Sequence, residues 1–434
     1  MRVTCENNED GGINVGYKKV CIMGLGYIGL PTAAVLAKQG HDVIGVDVRS
    51  HVVETINRGE IHIHEPGLGE LVNEVVKAGK LKASLQPEEA DIFFICVPTP
   101  INEDKSPDLS YVRTASQAIR PYVRKGCLII LESTSPPKTT ADVVVSHAVN
   151  EEWQVGEDIF VSHCPERVLP GKILREVVEN DRIIGGVTPR CTDLTAAFYE
   201  GFVTGAVYRT TAITAEMTKL VENAYRDVNI AFANELSMLA AGFGADAHEV
   251  IKLANRHPRV DILTPGPGVG GHCISVDPWF LVHASPKDTP LIHCARMVND
   301  SKPEFVVDQV LAYASQLDYP KVGCLGLTYK ADVDDLRESP SYCIVRALIE
   351  ADVAEVVACD PYVKPAEVPG VTLVGLSEAT HDCDIVVLLT DHEIFRNLPV
   401  AMLLGKKVVD TRGIWRDQMA GAAAPIDRYA ARAA

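Results

Sequence analysis

The chain has 434 residues, of which 47% are hydrophobic and 23% charged, as is ordinary for a globular chain that buries several cores. Its 41 Lys and Arg residues are outnumbered by 58 Asp and Glu residues, and the net charge of −17 argues against nucleic-acid or anionic-membrane partners. Any anionic ligand must therefore be bound by a local cluster of basic residues.

The 12 cysteines form no Cys-x-x-Cys pair and no zinc-type pattern with histidine, which indicates a reducing, cytoplasmic location. His62 and His64, next to Glu65, are not taken as a metal site because no further ligand is in view. Residues 1–17 are predicted to form a polar, poorly ordered leader rather than a signal peptide. No apolar run is long enough to span a membrane, so we expect no membrane partner.

A glycine turn, Gly24–Gly29, follows the first predicted strand, Lys19–Met23. A helix is predicted over Leu30–Gln39, and a second strand over His41–Asp47. In this order a G-x-G-x-x-G pattern predicts a dinucleotide site, because the glycines allow close approach and the helix N-terminus faces the pyrophosphate.

Asp47 is expected to accept hydrogen bonds from the adenosine ribose of this dinucleotide. Because a carboxylate repels a 2′-phosphate, NAD is favoured over NADP, and Arg49 is the one nearby residue that opposes this preference. Tyr27 and Ile28, within the turn, are further predicted cofactor contacts.

Two apolar runs, 91–97 and 127–131, have the composition of strands buried on both faces of a parallel sheet. Ligands of such sheets bind at the strand C-termini, so Thr99 and Thr134 are candidate cofactor contacts. Strand-end threonines also serve as helix caps, so the order of the strands carries more weight than either residue.

One long helix of about 45 Å is predicted from Thr211 to Ala241. Four polar residues recur on it at helical spacing and form one stripe, which we expect to face a cleft rather than solvent. They are Glu216, Lys219, Asn223 and Arg226. The small, apolar remainder of the helix suits both a connection between domains and a dimer contact.

A glycine-rich loop, 266–273, delivers Cys273 after four glycines. If residues 274–276 open a helix, the thiol lies near the N-terminus, where peptide dipoles favour the nucleophilic thiolate. Asp277, four residues later, would share its face. An isolated intracellular cysteine is more often a small buried residue, but the glycines and the aspartate favour a catalytic role.

A second α/β unit is predicted after a helix that reaches about Leu317. Its strands and helix are expected at 321–327, 339–351 (helix), 354–360, 383–389 and 406–410. The fold class is therefore α/β, with two Rossmann-type doubly wound domains joined by a long central helix. The predicted boundaries are 18–210, 211–303 and 318–420.

With these residues the chain resembles the UDP-glucose/GDP-mannose 6-dehydrogenase family over nearly its whole length, from Val20 to Trp415. The stretches that carry the resemblance are 24–31, 57–66, 164–171, 256–260, the cysteine loop and 335–340. Among them, 59–66 and 164–171 point to the branch that oxidises UDP-N-acetyl-D-mannosamine. The resemblance implies a first domain for NAD, a central domain for dimerisation and a third domain for the UDP-sugar.

The family oxidises C6 from alcohol to carboxylate with two NAD. The resemblance implies that Cys273 forms a thiohemiacetal and then a thioester, which keeps the aldehyde from escaping. Lys219 and Asn223 would donate to the C6 oxyanion, and Asp277, Thr134 and Glu166 would lie near the hydrolytic water. Many relatives have a second glutamate where this chain has Pro170, so the identity of the base stays open.

The resemblance also assigns the basic residues that the substrate requires and implies a homodimer, in which the loop carrying Arg259 reaches the neighbouring subunit's site. Arg337 is assigned to the cofactor. The residues assigned to the UDP-sugar are Arg167, Val168, Lys219, Asn223, Arg226, His257, Arg259, Gly270, Tyr329 and Lys330.

Three alternatives stay open at this level. UDP-GlcNAc or UDP-glucose is a possible substrate, because few residues shape the sugar pocket. A two-electron 2-hydroxy-acid dehydrogenase shares the architecture but requires neither Cys273 nor the last domain. A sugar-nucleotide-binding regulator without turnover is disfavoured by the intact Cys273, Lys219, Asn223 and Asp277.

Overall fold

The structure, a computed structural model, describes residues 6–7, 13–14, 18–169 and 171–421. It divides into two compact units, Met1–Glu222 and Asn223–Ala434. The predicted leader lies outside the described residues except for two short antiparallel strands, β1 (Glu6–Asn7) and β2 (Ile13–Asn14). The three-domain division expected from the sequence stays a prediction.

The first unit is built on an eight-stranded sheet. Its strands are β3 (Lys19–Met23), β4 (Asp42–Val46), β5 (Leu81–Ser84), β6 (Ile92–Ile95), β7 (Leu128–Leu131), β8 (Phe160–His163), β9 (Arg182–Gly186) and β10 (Val207–Thr211). The strand order is β10-β9-β8-β7-β6-β3-β4-β5, and only the β8–β9 pair is antiparallel. The six strands from β5 to β8 thus have the Rossmann order 3-2-1-4-5-6.

Helices cover both faces of this sheet. They are α1 (Gly29–Lys38), α2 (Ser50–Asn57), α3 (Leu68–Lys77), α4 (Ser110–Ile119), α5 (Val145–Ala148), α6 (Ile173–Glu179) and α7 (Pro189–Glu200). Every residue of β6 and β7 is buried, as expected for parallel strands between two helical layers. This burial explains why both strands are continuous apolar runs in the sequence.

The long helix α8 (Ala212–Gly242) has 31 residues and contains the boundary between the two units. The second unit continues with α9 (Ala247–Ala254), α10 (Asp277–Ala284), α11 (Pro290–Ala314), α12 (Pro340–Glu350), α13 (Leu376–His381), α14 (Glu393–Arg396) and α15 (Arg416–Gly421). None of the described helices is long and apolar enough to cross a membrane.

The second unit has a five-stranded parallel sheet in the order β13-β12-β11-β14-β15. Its strands are β11 (Lys321–Leu325), β12 (Glu355–Cys359), β13 (Thr372–Leu373), β14 (Ile385–Leu388) and β15 (Lys407–Asp410). This order is again the Rossmann order 3-2-1-4-5. The predicted fold class, two Rossmann-type units with a long central helix, is confirmed.

Two local predictions are wrong. The helix after the cysteine loop begins at Asp277 rather than at residue 274, so Cys273 precedes it by four residues. The polar stripe of α8 does not all face a cleft, because Glu216 is fully buried and accepts hydrogen bonds from the backbone N–H groups of Lys138 and Thr140. Glu216 thus holds a loop of the first unit.

Candidate active site

The glycine turn of the first unit has two positions where only glycine fits. Gly24 has φ +95°, and a Cβ there would lie 2.5 Å from the carbonyl oxygen of Cys96. A Cβ at Gly29 would lie 1.9 Å from the carbonyl oxygen of Gly24. Gly26 instead faces open space among the described residues, and no side chain of this part of the chain caps α1. The turn therefore leaves room for a pyrophosphate at the helix N-terminus, which fits NAD.

Asp47 lies where the dinucleotide interpretation requires an acceptor. Its carboxylate accepts hydrogen bonds from the Leu25 N–H at 3.2 Å and from the Arg49 N–H and Nε at 3.0 Å each. Burial alone would raise the pKa of Asp47, but the hydrogen bonds from Arg49 and Leu25 hold the pKa below its ordinary value. The Arg49 side chain is half exposed, so it can move aside for a ribose.

The two predicted strand-end threonines lie together. The Thr99 hydroxyl donates to the carbonyl oxygen of Thr134 at 2.6 Å, and Ser133 donates to the Val97 carbonyl at 2.7 Å. Both threonines therefore lie at the C-terminal edge of neighbouring strands β6 and β7. Tyr27, in the glycine turn, is 43% exposed and available to a ligand on this edge.

Glu166 is held on both of its oxygens. It accepts from the Arg167 N–H at 2.6 Å and from Arg182 Nη1 at 2.6 Å, and Glu166 and Arg182 are both buried. Arg167 itself pairs with Glu222 at 2.7 Å, and Val168 packs partly buried against the core. The Glu166–Arg182 pair thus fixes the start of the 164–169 segment.

A second buried carboxylate, Glu132, lies at the end of β7. It accepts from the Tyr199 hydroxyl at 2.6 Å and from the Cys96 thiol at 3.2 Å. Burial, reinforced by the negative charge of Glu166, raises the pKa of Glu132 to about 7. The sequence carried a signal for it, because Glu132 directly precedes Ser133 and Thr134 at a strand end. Arg182 carried no such signal, since an arginine that begins a strand is usually exposed.

In the second unit, the cysteine loop leads directly into α10. Cys273 is partly exposed, and its carbonyl oxygen accepts the N–H groups of Val276 at 3.1 Å and Asp277 at 2.8 Å. The buried Asp277 carboxylate accepts from Asn223 Nδ2 at 2.6 Å. The structure thus brings together three predicted residues: the thiol residue, the carboxylate and the amide. Lys219, one helical turn before Asn223 on α8, belongs to the first unit and is partly buried.

Tyr329 packs against the glycines of this loop. Cβ atoms added to Gly270 and Gly271 would lie 2.7 Å and 2.8 Å from the Tyr329 side chain. Burial raises the pKa of Tyr329, and the charges of Asp335 and Cys273 act in the same direction. Tyr329 is therefore near the thiol, whereas Lys330 is exposed.

Arg337 pairs with Asp335, with Nη2 at 2.7 Å from the carboxylate, an ion pair that the sequence did not suggest. The remaining predicted substrate residues of this unit, Arg226, His257 and Arg259, are all exposed. The Arg259 N–H donates to His257 Nδ1 at 3.3 Å, which keeps these two residues of one loop together.

The second Rossmann-type unit also places a leucine N–H beside an aspartate at the turn after its first strand. Here the aspartate is engaged by a buried histidine as well. The N–H of Leu327 donates to Asp360 at 2.7 Å, as that of Leu25 does to Asp47. His392, which is fully buried, places Nε2 at 3.1 Å from Asp360. Because His392 Nδ1 accepts the Asp332 N–H at 2.9 Å, Nε2 carries the proton and donates to Asp360.

Within residues 18–169 and 171–421, no group of three or more His, Cys, Asp or Glu side chains is placed to bind a metal ion. The described residues thus include a candidate dinucleotide edge in the first unit and, in the second unit, a cysteine with polar neighbours.

A Rossmann unit with a ribose-accepting aspartate, followed by a second such unit preceded by a cysteine loop, defines an NAD-binding oxidoreductase. The chain belongs to the UDP-glucose/GDP-mannose dehydrogenase family: its NAD binding domain matches residues 18–203, its central domain 213–301 and its UDP binding domain 323–417. It is thus an NAD-dependent nucleotide-sugar dehydrogenase.

Three relatives show how near this similarity is. The NDP-N-acetyl-D-galactosaminuronic acid dehydrogenase of Ralstonia solanacearum is 51% identical, with 94% of this chain and 98% of that protein covered. The UDP-N-acetyl-D-mannosamine dehydrogenase of Campylobacter jejuni is 50% identical, with 87% and 96% covered. The native structure of the UDP-N-acetyl-mannosamine dehydrogenase of Staphylococcus aureus is 46% identical, with a TM-score of 0.81 over 92% of this chain and 95% of that chain.

Proposed function

We propose that this protein oxidises C6 of UDP-N-acetyl-D-mannosamine to the carboxylate, giving UDP-N-acetyl-D-mannosaminuronic acid. The observation that carries the proposal is the arrangement of Cys273, Asp277 and Asn223, in which the Asp277 N–H donates to the Cys273 carbonyl at 2.8 Å and Asn223 donates to the Asp277 carboxylate at 2.6 Å. A relative named for the mannosamine substrate at 50% identity supports the choice of sugar.

The first oxidation converts the C6 alcohol to an aldehyde and releases one proton. Lys219 and Asn223 donate hydrogen bonds to the C6 oxygen as negative charge develops on it, a contact typically worth about 3 kcal/mol per donor. NAD, held by the glycine turn, Asp47 and the edge near Thr99 and Thr134, supplies the hydride acceptor when it is bound.

The second oxidation runs on the enzyme. The Cys273 thiolate adds to the aldehyde carbon to form a thiohemiacetal oxyanion, and loss of the C6 hydrogen as hydride, for which a second NAD would be the acceptor, leaves a thioester. Water then attacks the thioester carbon, the C–S bond breaks, and the carboxylate and the thiol are released. Asp277 is the proposed proton acceptor for that water, because Glu166 has both oxygens engaged by Arg167 and Arg182 and so positions its loop.

Proposed binding of the UDP-sugar uses four basic residues: Arg167, Arg226, Arg259 and Lys330. Val168, His257, Gly270 and Tyr329 complete the proposed substrate contacts, and Arg337 joins Tyr27, Ile28, Asp47, Thr99 and Thr134 as a cofactor residue. The packing of Tyr329 against Gly270 and Gly271 supports a place for the sugar beside the cysteine loop.

The proposed assembly is a homodimer formed through α8, with each site completed by the neighbouring Arg259. Three large residues at seven-residue spacing on α8 support it, because they lie on one face and are strongly exposed: Tyr225 (69%), Phe232 (54%) and Leu239 (55%). Contiguous exposed apolar side chains of this kind mark interaction surfaces.

The proposed location is the cytoplasm, which the free state of the eleven described cysteines supports. A nucleotide-activated uronic acid is the form that a glycosyltransferase consumes, so we place the product in the synthesis of a surface polysaccharide.

UDP-N-acetyl-D-galactosamine is the second candidate substrate, since the Ralstonia solanacearum relative at 51% identity is named for the galactosaminuronic acid. Both candidates have a 2-acetamido group and differ in configuration at C2 and C4. We expect the residues that contact this 2-acetamido group to distinguish both candidates from UDP-glucose, which lacks it.

The test supplies purified protein and NAD with UDP-ManNAc, UDP-GalNAc, UDP-GlcNAc and UDP-glucose separately and counts NADH per sugar consumed. We expect two NADH per UDP-ManNAc with no free aldehyde, and a lower kcat/KM for the others. The Cys273→Ser variant should bind the sugar but fail in the second oxidation. One NADH per sugar in the wild type, or acid from Cys273→Ser at the wild-type rate, would remove the thioester mechanism.

A further inference from the structure

The cysteine loop has few side chains of its own to hold it in place. Gly266, Gly268, Gly270 and Gly271 contribute no side chain, and Gly268 and Gly271 have φ +147° and +83°. Such a segment is conformationally free unless groups outside it fix its backbone. Two such contacts lie close to the thiol: the Gly271 N–H donates to the Arg337 carbonyl at 3.0 Å, and Ser275 donates to the Gly271 carbonyl.

The start of the loop is fixed from a different direction, by a buried chain of polar side chains between α8 and α11. The Gly266 N–H donates to Asn234 Oδ1 at 2.9 Å, and Asn234 Nδ2 donates to Asn299 Oδ1 at 2.9 Å. Asn299 Nδ2 then donates to the Asp227 carboxylate at 2.8 Å and to its carbonyl oxygen at 3.0 Å. Arg296 closes the chain by pairing with the same carboxylate.

All members of this chain are buried, with side chains or residues at most 1% exposed: Asn234, Asn299, Asp227 and Arg296. Two atoms at its far end, Asp227 Oδ2 and Arg296 Nε, have no hydrogen-bond partner among the described residues, so this buried network is retained at a cost in stability. None of these residues touches Cys273 itself in the contacts that define the chain.

The direction of every hydrogen bond in this chain is dictated from its two ends. A backbone N–H can only donate, so the Asn234 oxygen must face Gly266. A carboxylate can only accept, so the Asn299 amide nitrogen must face Asp227. The Asn234 nitrogen and the Asn299 oxygen then meet in the middle. Only one orientation of both amides satisfies all four groups.

From this geometry we infer that Asn234 is a positioning residue for Cys273, acting as one link of the Asp227–Asn299–Asn234 chain that fixes the backbone of the cysteine loop at Gly266. The inference rests on the proposed role of Cys273 as nucleophile. The position of the Cys273 thiol therefore depends on contacts made at Gly266, seven residues earlier in the sequence. A displacement of about 1 Å at a reacting group costs on the order of 100-fold in rate.

The hydrogen-bonded series Asp227–Asn299–Asn234 predicts which substitution disturbs the cysteine loop and which second substitution counteracts it. In Asn234→Asp, an acceptor replaces the amide nitrogen and meets the Asn299 oxygen. Asn299 cannot resolve this by flipping, because its oxygen would then face the Asp227 carboxylate. Adding Asp227→Asn removes that obstacle: Asn299 flips, its nitrogen donates to the carboxylate at position 234, and its oxygen accepts from the new amide. The double variant keeps the net charge and restores the side-chain links from position 234 through Asn299 to position 227, whereas the Asn299 donation to the carbonyl of position 227 and the Arg296 ion pair are lost.

The experiment measures the alkylation rate of Cys273 by iodoacetamide across pH, by peptide mass spectrometry, in the absence of sugar and NAD. The exposed Cys343 serves as an internal reference in each sample. Steady-state kcat and KM for the UDP-sugar are measured on the same preparations. Asn229→Asp is the matched control, because Asn229 lies on the same helix and donates only to the Tyr225 carbonyl, at 2.7 Å.

In Asn234→Asp we expect a rate of Cys273 alkylation altered by about 10-fold or more, and kcat lowered by roughly 10- to 100-fold with KM changed far less. Alkylation of Cys343 should be unchanged. The double variant should move both values from those of Asn234→Asp back toward those of the wild type, and Asn229→Asp should match the wild type. General destabilisation would instead alter both cysteines and would not be repaired by a second substitution.

Wild-type values of Cys273 alkylation and kcat in Asn234→Asp would overturn the inference, as would a double variant no better than the single one. If Asn234→Asp does not fold, Asn299→Leu breaks the same chain one link further from the loop and must show the same selective effect on Cys273. Because alkylation requires no turnover, failure of the wild type to form two NADH would count against the proposed function alone.

Discussion

At the scale of single residues, we propose that the pairing of Asp47 with Arg49 sets the preference for NAD over NADP. The guanidinium donates from Nε to the carboxylate at 3.0 Å, so it is occupied while Asp47 is present. Removing the carboxylate has two effects: repulsion of a 2′-phosphate ends, and Arg49 becomes available to bind that phosphate.

We therefore expect Asp47→Ala to narrow the preference for NAD over NADP by more than the loss of repulsion alone provides. Adding Arg49→Ala to Asp47→Ala should remove the part of the gained NADP use that Arg49 provides, while leaving NAD use as in the single variant. The measurement is kcat/KM for each cofactor in the wild type, the single variant and the double variant. Equal use of NAD and NADP by the wild type would show that Arg49 already outweighs Asp47.

Glu132 gives a residue-scale prediction for pH. Its pKa is raised from the ordinary value of 4.5 to about 7 in the folded chain. The folded state therefore binds the proton more tightly than the unfolded state, so this group's contribution to stability is full below about pH 4.5 and is lost as the pH rises through 7. The buried His163, whose pKa is lowered to about 3, acts in the opposite direction over part of this range.

Comparison with Glu132→Gln isolates the Glu132 contribution, because His163 is present in both proteins. We expect the melting temperature of the wild type, relative to that of the variant, to fall steadily from pH 4.5 to 7. A constant difference over this range would show that Glu132 does not change its charge there. Tyr199→Phe, which removes the 2.6 Å hydrogen bond to Glu132, serves as the companion variant.

At the scale of elements, α8 does more than connect the two units. Near its start Glu216 accepts hydrogen bonds from Lys138 N–H at 2.6 Å and from Thr140 N–H at 2.7 Å and its hydroxyl at 2.6 Å. These donors belong to the segment that follows Thr134. Helix α8 thus anchors the segment that follows Thr134, a proposed cofactor contact.

In Glu216→Gln one acceptor becomes a donor, which leaves at least one buried N–H without a partner at a cost of about 1–3 kcal/mol. We expect a lower melting temperature and a weaker affinity for NAD, measured by calorimetry and by titration. Glu235→Gln is the control, because Glu235 is exposed on the same helix, and its effect should stay within about 0.5 kcal/mol. An unchanged NAD affinity in Glu216→Gln would separate this loop from the cofactor site.

The elements also show what the sequence can and cannot predict. The Lys19–Met23 strand was predicted with its observed bounds, and β6, β7 and β11 within two residues at each end, because apolar runs and glycine turns are local signals. Strands β5, β8, β9, β10 and β13 were missed, as were the two short strands β1 and β2. Among the first five only β8 is fully buried, and β9 pairs antiparallel with it. The missed strands therefore lack the repeated buried apolar runs from which the other strands were predicted.

Candidate site residues were named from the sequence where residue type and spacing suggest the chemistry, as at Cys273, Asp47 and Asn223, and their roles stay predictions. Contacts between distant positions were not predicted, because nothing in the chain order joins Glu166 to Arg182 or Glu132 to Tyr199. The start of α10 was misplaced for a similar reason. The Cys273 carbonyl oxygen already accepts hydrogen bonds from the N–H groups of Val276 and Asp277. The regular helix nevertheless begins only at Asp277, with Pro278 in its first turn, where proline is favoured.

At the scale of the whole molecule, the proposed dimer with shared sites makes a quantitative prediction. Cys273→Ser and Arg259→Ala should each be nearly inactive as homodimers. When equal amounts are unfolded and refolded together, half of the dimers contain one chain of each kind, and each mixed dimer has one site with both native residues. We expect about a quarter of the wild-type activity.

The control for this experiment refolds each variant by itself in parallel. If Arg259 acts within its own subunit, every site in a mixed dimer lacks one residue, and the mixture stays as inactive as its components. Recovery near zero would thus place Arg259 in the same chain as the cysteine it serves. Analytical ultracentrifugation of the mixture confirms that dimers have formed.

The engaged carboxylate of the second Rossmann-type unit, Asp360, has a consequence for which ligand each unit can bind. In both units a leucine N–H at the turn after the first strand donates to an aspartate, the kind of acceptor that a nucleotide ribose requires. At Asp47 the competing group is a half-exposed arginine that can yield to a ribose. At Asp360 it is a fully buried histidine, held at its other nitrogen by the Asp332 N–H. We therefore expect NAD to bind at the first unit, because Asp360 is unavailable to a ribose while His392 donates to it.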